Sequence, residues 1–166
     1  MLTSRNLLLP IMNGFTLLIV IVIAAAIVFD GSLARGATVS DARTLFVRFV
    51  HAQNDHDTDA LRAMLWSSPS MLWYTRGKEV RGPAAVVDVL HDYFAGTWHL
   101  KPDMSAFEAT VIDEDTLQVL VPIVFTRGEP GQVPQESRIL IDQTYVLTVN
   151  GWRVASIFAV ANTQLK

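Results

Sequence analysis

Residues Leu7–Phe29 form a run of 23 residues without a charged side chain, and this run limits what the chain can become. A helix of that length is about 34 Å long, which is enough to cross a hydrocarbon core about 30 Å thick. A helix on the surface of a soluble domain normally carries a polar face, which this run lacks. The run therefore predicts either a transmembrane anchor or a secretory signal peptide.

Both interpretations have support in the sequence. Arg5 precedes the run, and Ser32-Leu33-Ala34 and Ala34-Arg35-Gly36 have the small-x-small pattern that signal peptidases accept. The run is longer than the apolar core of an ordinary signal peptide, about 7–15 residues, which favours an uncleaved anchor. Because Arg5 lies before the run and Asp30 after it, we expect the following domain on the extracytoplasmic side. The domain is predicted to be membrane-anchored if the segment is retained, and periplasmic or secreted if the segment is cleaved.

The residues after this segment are enough for one domain. We predict an anchor or signal peptide over residues 1–29, a linker over 30–38 and an α+β domain over 39–166. All 16 acidic and 12 of the 13 basic residues follow Phe29, which gives this part a formal charge of −4. The basic residues form no stripe, so we expect no nucleic-acid binding. The chain has no cysteine, which excludes disulfides and thiolate metal sites.

Helical patterns come first in this domain. Ser40 is placed to begin one helix, and Asp57 or Thr58 a second, shorter one. Gly82-Pro83 is typical of a helix start, and Gly96 of a helix end, so a third helix is expected between them.

Strand patterns follow. A short strand over 71–75 and the turn at Gly77 form a small hairpin before the third helix. Asn150-Gly151 is a strong signal for a tight hairpin between two long strands. The four later strands are predicted over residues 104–112, 116–126, 137–149 and 152–162. This order predicts an α+β domain in which three N-terminal helices pack on one face of a curved, mostly antiparallel sheet.

Three motifs carry a family resemblance. They are the segment FVHAQNDHD (49–57) leading into Asp59-Ala60-Leu61, the segment VRGPAAV (80–86), and NGWRV (150–154). With this order of elements, the chain resembles the nuclear transport factor 2-like superfamily, in particular its SnoaL-like branch, over about residues 39–162. The resemblance implies a cone-shaped fold with a pocket between helices and sheet. It does not choose a function, because that superfamily includes isomerases, dehydratases, cyclases, epoxide hydrolases, binding modules and assembly subunits.

The tight hairpin predicts which side chains face the pocket. If Val149 lies opposite Trp152 and no bulge intervenes, one face of the last two strands is the bulkier and lies under the helices. That face holds Ile139, Ile141, Gln143, Tyr145, Leu147, Val154, Ser156, Phe158, Val160 and Asn162. Two apolar rows of the earlier strands are expected to face inward as well: Leu117, Val119, Val121, Ile123 and Phe125, and Phe107, Ala109 and Val111.

These rows would give the pocket an apolar lining with a few neutral polar groups. Such a lining is typical of a small-molecule site, although buried Tyr and Gln side chains also occur in ordinary cores. We predict the ligand-binding residues Trp73, Tyr93, Trp98, Gln143, Tyr145, Ser156 and Asn162. No metal-ligand spacing, phosphate loop or nucleophile motif is present in the sequence, so we predict no metal and no cofactor.

Three functions remain open at this point. The first is a non-catalytic binding or assembly module that takes a small apolar ligand and pairs through the outer sheet face, as a homodimer or with a membrane-complex partner. The second is a small isomerase, dehydratase or hydrolase, which needs His91, His99 or Asp103 inside the pocket. The third is an accessory subunit of a membrane complex. We favour the first because the inward rows contain no carboxylate or imidazole.

Overall fold

A computed structural model describes residues 38–161, and its first helix begins directly after Thr38. Helix α1 (Val39–Asn54) is capped by Thr38, whose side chain accepts a hydrogen bond from the Asp41 N–H (3.1 Å). The Asp41 carboxylate accepts one in return from the Thr38 N–H (3.0 Å). This reciprocal pair places the N-cap at Thr38, two residues before the predicted cap at Ser40. The buried face of α1 includes Ala42, Phe46, Phe49 and Val50.

Two further helices follow, as predicted. Helix α2 (Thr58–Met64) is capped by Asp57, whose side chain accepts from the Ala60 N–H (2.8 Å). Helix α3 (Pro83–Phe94) starts directly after Gly82, which has a φ of +80°. Helix α3 buries Val86, Val87 and Leu90.

The seven described strands form one sheet. Its strands are β1 (Leu72–Thr75), β2 (Lys78–Arg81), β3 (Thr97–Pro102), β4 (Glu108–Asp113), β5 (Thr116–Gly128), β6 (Gln135–Thr148) and β7 (Gly151–Ala161). The order across the sheet is β2-β1-β7-β6-β5-β3, and β4 also pairs with β5. Strands β1 and β7 run parallel, whereas the other described pairs are antiparallel. The predicted α+β architecture is confirmed for the described residues.

The strand predicted over 104–112 is wrong in part. The chain forms β3 over Thr97–Pro102, then a 3-10 turn at Met104–Ala106, and only then β4. The Asp103 carboxylate causes this break, because it accepts hydrogen bonds from the Ser105 N–H (3.0 Å) and hydroxyl (2.6 Å). Strands β3 and β4 both pair with β5, on either side of Pro122, which has no N–H to pair.

The hairpin of β6 and β7 shows a second departure. Trp152 pairs with Leu147 rather than Val149, and the register shifts once more where Tyr145 pairs with Val154 but Thr144 with Ser156. That bulge places an extra residue, Ala155, in β7 and reverses the facing of every later β7 side chain.

The predicted inward faces are therefore confirmed on some strands and wrong on others. On β6, Ile141, Gln143 and Tyr145 are buried, which confirms their inward position. On β7, Ile157 is buried, whereas Phe158 and Val160 are 37% and 45% exposed on the outer face, contrary to the prediction. The β5 row is confirmed: Leu117, Val119, Val121, Ile123 and Phe125 are all buried. In the shorter row Phe107 packs against Phe46 (5.8 Å between ring centroids), but Val111 is 42% exposed.

The predicted membrane segment Leu7–Phe29 lies outside the described residues. Among residues 38–161, no helix is both long and apolar enough to cross a membrane.

Candidate functional site

A small cavity lies between the helices and the inner face of the sheet. Its volume is about 40 Å³, and three neutral polar side chains contribute to it: Gln53 of α1, Thr75 of β1 and Gln143 of β6. The rest of the lining is apolar. Small-molecule pockets usually measure about 300–1,000 Å³, so this inner cavity admits only water-sized guests. Buried side chains occupy the rest of the interior between the helices and the sheet.

Two of the predicted ligand-binding residues hydrogen-bond to each other. The Tyr145 phenol donates to Oε1 of Gln143 (2.6 Å), and both side chains are only 1% exposed. The two residues are neighbours on the same face of β6, which brings the groups together. Burial raises the pKa of the Tyr145 phenol well above its usual value near 10. The pair is a satisfied core contact, and Gln143 also reaches the inner cavity.

We expect this pair to make the fold sensitive to alkali. The raised pKa means that the folded state favours the protonated phenol. The resulting contribution of Tyr145 to the free energy of unfolding is intact below about pH 10 and is lost as the pH rises further. Tyr145→Phe should remove that alkaline loss, and should cost about 1–2 kcal/mol at neutral pH because the Gln143 oxygen loses its donor. Urea unfolding at neutral pH and at about pH 10.5 measures both effects. An alkaline loss that persists in the variant would contradict this assignment.

The three candidate catalytic groups do not reach the inner cavity. His91 on α3, His99 on β3 and Asp103 are exposed. His99 alternates with buried Trp98 and Leu100 and so faces away from the core. The Ser105 hydroxyl and N–H lower the pKa of Asp103, which serves the 3-10 turn. The condition set for an enzyme with these residues is not met. Among residues 38–161, no three His, Asp or Glu side chains form a group that could hold a metal ion.

A larger cleft lies beside the inner cavity. Its volume is about 320 Å³, within the range of small-molecule sites. Tyr93 at the end of α3 and Trp98 in β3 form an aromatic surface, with ring centroids 5.4 Å apart and planes only 12° from parallel. Strand ends, a turn and the loop between β5 and β6 supply the other lining residues, which are Arg76, Thr97, Arg127, Gly128, Glu129, Gln132, Val133 and Gln135.

Trp98 lines both the cleft and the inner cavity. Its ring packs edge-on against Trp73 (6.4 Å), Phe94 (5.8 Å) and Phe125 (4.6 Å). The residue is 9% exposed, and its indole Nε1–H has no hydrogen-bond acceptor among the described residues. A buried donor without a partner costs about 1–3 kcal/mol, so such groups are uncommon in cores.

Helix α1 and the loop after it hold the strand that carries Trp98. The Asn54 side chain accepts from the Leu100 N–H (2.8 Å) and donates to the Leu100 carbonyl (2.9 Å). His56 stacks on Phe94 with 4.5 Å between centroids, and its Nε2 lies 3.3 Å from the Trp98 carbonyl. These contacts satisfy the free edge of β3 and fix the backbone on which the indole is mounted.

The other predicted ligand residues have different fates. Trp73 is 5% exposed and lines the inner cavity, and its ring lies edge-on to Tyr93 at 6.3 Å. Ser156 lies on the outer face instead of inward, because the bulge at Ala155 reverses this part of β7. Asn162 lies outside the described residues. The sequence analysis did not predict two cationic residues of the cleft lining, Arg76 and Arg127. The sequence features that could have indicated them are an arginine beside Gly77 in a predicted turn and an arginine at the end of a predicted strand.

Solved structures share this architecture along most of their length. An NTF2-like superfamily protein from Salmonella enterica serovar Typhimurium is 15% identical, with a TM-score of 0.66 over 76% of this chain and 92% of its own. A protein of Streptomyces avermitilis, provisionally named a dehydratase of the NTF2-like family, is 16% identical, with a TM-score of 0.64 over 75% and 96%.

A protein of Novosphingobium aromaticivorans, provisionally named an aromatic ring hydroxylase, is 15% identical, with a TM-score of 0.66 over 78% and 94%. Neither a protein-family model nor a curated protein matches the sequence. Likeness at this level of identity concerns the fold, and it agrees with the resemblance seen in the sequence motifs. The chain has the α+β fold of the nuclear transport factor 2-like proteins.

Proposed function

We propose that this domain is a SnoaL-like small-molecule-binding module, and that its ligand occupies the cleft beside Tyr93 and Trp98. The observation that carries the proposal is the indole Nε1–H of Trp98, which is buried at the boundary of a ligand-sized cleft and has no acceptor within residues 38–161. The uncharged run Leu7–Phe29 supports placing the module at a membrane or outside the cytoplasm.

The shape of the site supports binding. Half-buried Tyr93, which is stacked on Trp98, gives the cleft an aromatic wall of the kind that planar ligands stack on. Trp98 lines both the cleft and the inner cavity, so we propose that its indole turns by a small angle towards this space when a ligand binds. Such a turn would bring the Nε1–H, now out of solvent contact, to an acceptor atom of the ligand. Binding would then supply an acceptor for the indole N–H.

Binding without chemistry is the better-supported form of this function. An NTF2-like enzyme of the dehydratase type, as the Streptomyces protein is provisionally named, would need an acid or base beside its substrate. The candidates His91, His99 and Asp103 are exposed and none of them lines the cleft or the inner cavity. Glu129 lines the cleft but is exposed in the loop between β5 and β6, where water surrounds its carboxylate.

A fragment screen tests the proposal. We expect some bicyclic aromatic fragments to bind the full-length protein, and Trp98→Phe to weaken them about tenfold, which corresponds to one lost hydrogen bond. Trp152→Phe is the matched control, because Trp152 is half-buried at the start of β7 and lines neither the cleft nor the inner cavity. It should change the dissociation constants less than twofold. A silent screen, or equal losses in the two variants, would contradict the proposed site.

A further inference from the structure

We infer that the cleft selects a planar ligand carrying a carboxylate, and that Arg76 and Arg127 hold this anionic group. The inference rests on the proposed function and names its ligand class. The cleft lining has two guanidinium groups and one carboxylate, that of Glu129, so its formal charge is positive although the domain is acidic. Planar guanidinium groups bind carboxylates through paired hydrogen bonds.

Neither arginine is used elsewhere in the described structure. Within residues 38–161 the ion pair found joins Arg81 to Glu79, which leaves Arg76 and Arg127 without a carboxylate partner. Glu129 lines the same cleft but forms no ion pair with either of them. Both guanidinium groups are therefore available to a ligand.

The backbone position of Arg76 is unusual for arginine. Arg76 and Gly77 form the turn between β1 and β2, with φ angles of +52° and +75°. Turns of this kind favour asparagine, aspartate or glycine, because other side chains are strained at positive φ. Strained residues tend to occur where their side chains are needed, and the Arg76 side chain lines the cleft.

Arg127 is the direct cross-strand neighbour of Trp98. The two residues pair in the register of β3 and β5, so their side chains lie on the same face of the sheet. Arg127 is half-buried near the end of β5, where the water around its charge is already reduced. A carboxylate bound here would lie beside the Trp98 indole. The aromatic part of the ligand would then contact the rings of Tyr93 and Trp98.

Two probes of matched shape separate charge from shape. We expect 2-naphthoate to bind the full-length protein at least tenfold more tightly than 2-naphthamide in calorimetric titrations. Arg76→Gln and Arg127→Gln should each weaken 2-naphthoate about fivefold or more and leave 2-naphthamide within twofold. Arg48→Gln is the matched control, because Arg48 is an exposed arginine of α1 outside the cleft, and it should leave both affinities unchanged.

The outcomes distinguish this inference from the proposed function. Equal binding of the two probes, or a preference for 2-naphthoate that survives in both cleft variants, would overturn carboxylate selection and leave the Trp98 site standing. Equal weakening by Arg48→Gln would show that only the overall charge matters, and would overturn it too. If neither probe binds, the inference fails, and a silent fragment screen would then remove the proposed function as well.

Discussion

Ile141→Asp is expected to lower the free energy of unfolding by about 3–5 kcal/mol, because it places a carboxylate without a partner in the core. Ile141 is 7% exposed and pairs with Val121 on one side and Ala159 on the other. It also lines the inner cavity, to which no cationic side chain of the described chain contributes. Urea unfolding of the full-length protein, followed by tryptophan fluorescence, measures the change.

Thr144→Asp is the control for the facing of β6. Thr144 is half-buried on the outer face, three positions from Ile141 in the same strand, so water can still reach a new carboxylate there. We expect a loss of no more than about 1 kcal/mol. Similar unfolding midpoints for the two variants would show that the inner and outer faces of β6 have been confused.

Gly96→Ala is expected to cost about 3 kcal/mol or more, because the added methyl group has no space. A Cβ at Gly96 would lie 2.1 Å from the Gly128 carbonyl oxygen and 3.1 Å from its carbonyl carbon. These are backbone atoms at the end of the β3–β5 pairing, so the clash cannot be relieved by turning a side chain. Relief would require β3 to move away from β5, and Trp98 would move with it.

Gly131→Ala is the matched control for this prediction. Gly131 lies in the loop between β5 and β6 with a φ of +77°, and nothing lies within 4 Å of its ideal Cβ. Only the unfavourable backbone angle should matter there, at about 1 kcal/mol. If Gly96→Ala were no worse than Gly131→Ala in the same unfolding measurement, the close approach of β3 and β5 would be refuted.

Local signals in the sequence predicted much of the fold. The caps at Asp57 and Gly82-Pro83, the alternation along β5, and the inward side of β6 depend on neighbours within a few residues. Two of the errors arose where a single residue changes the local geometry. Asp103 folds back on Ser105 and divides one predicted strand, and the extra residue Ala155 reverses half of β7. A bulge has no reliable mark in the alternation of a short strand.

The site could be predicted only in part, because it is assembled from distant segments. The aromatic residues Trp73, Tyr93 and Trp98 were expected together, and they do pack together. A pocket was expected in the cone interior, and the cavity there measures only about 40 Å³, with Gln143 in its lining hydrogen-bonded to Tyr145. Arg76 and Arg127 lie about fifty residues apart in the sequence and meet at the cleft through the sheet topology. No local pattern indicates such a meeting.

The central claim is that a ligand reaches Trp98 from the cleft, and the indole N–H of Trp98 reports on this directly. We would record the four tryptophan indole signals of the full-length ¹⁵N-labelled protein and assign that of Trp98 with Trp98→Phe. Addition of a fragment that binds should move the Trp98 N–H proton downfield as it gains an acceptor, with smaller changes at the other three indoles. A bound fragment that leaves the Trp98 signal unmoved, while the signal of Trp66 or Trp152 shifts, would contradict the account.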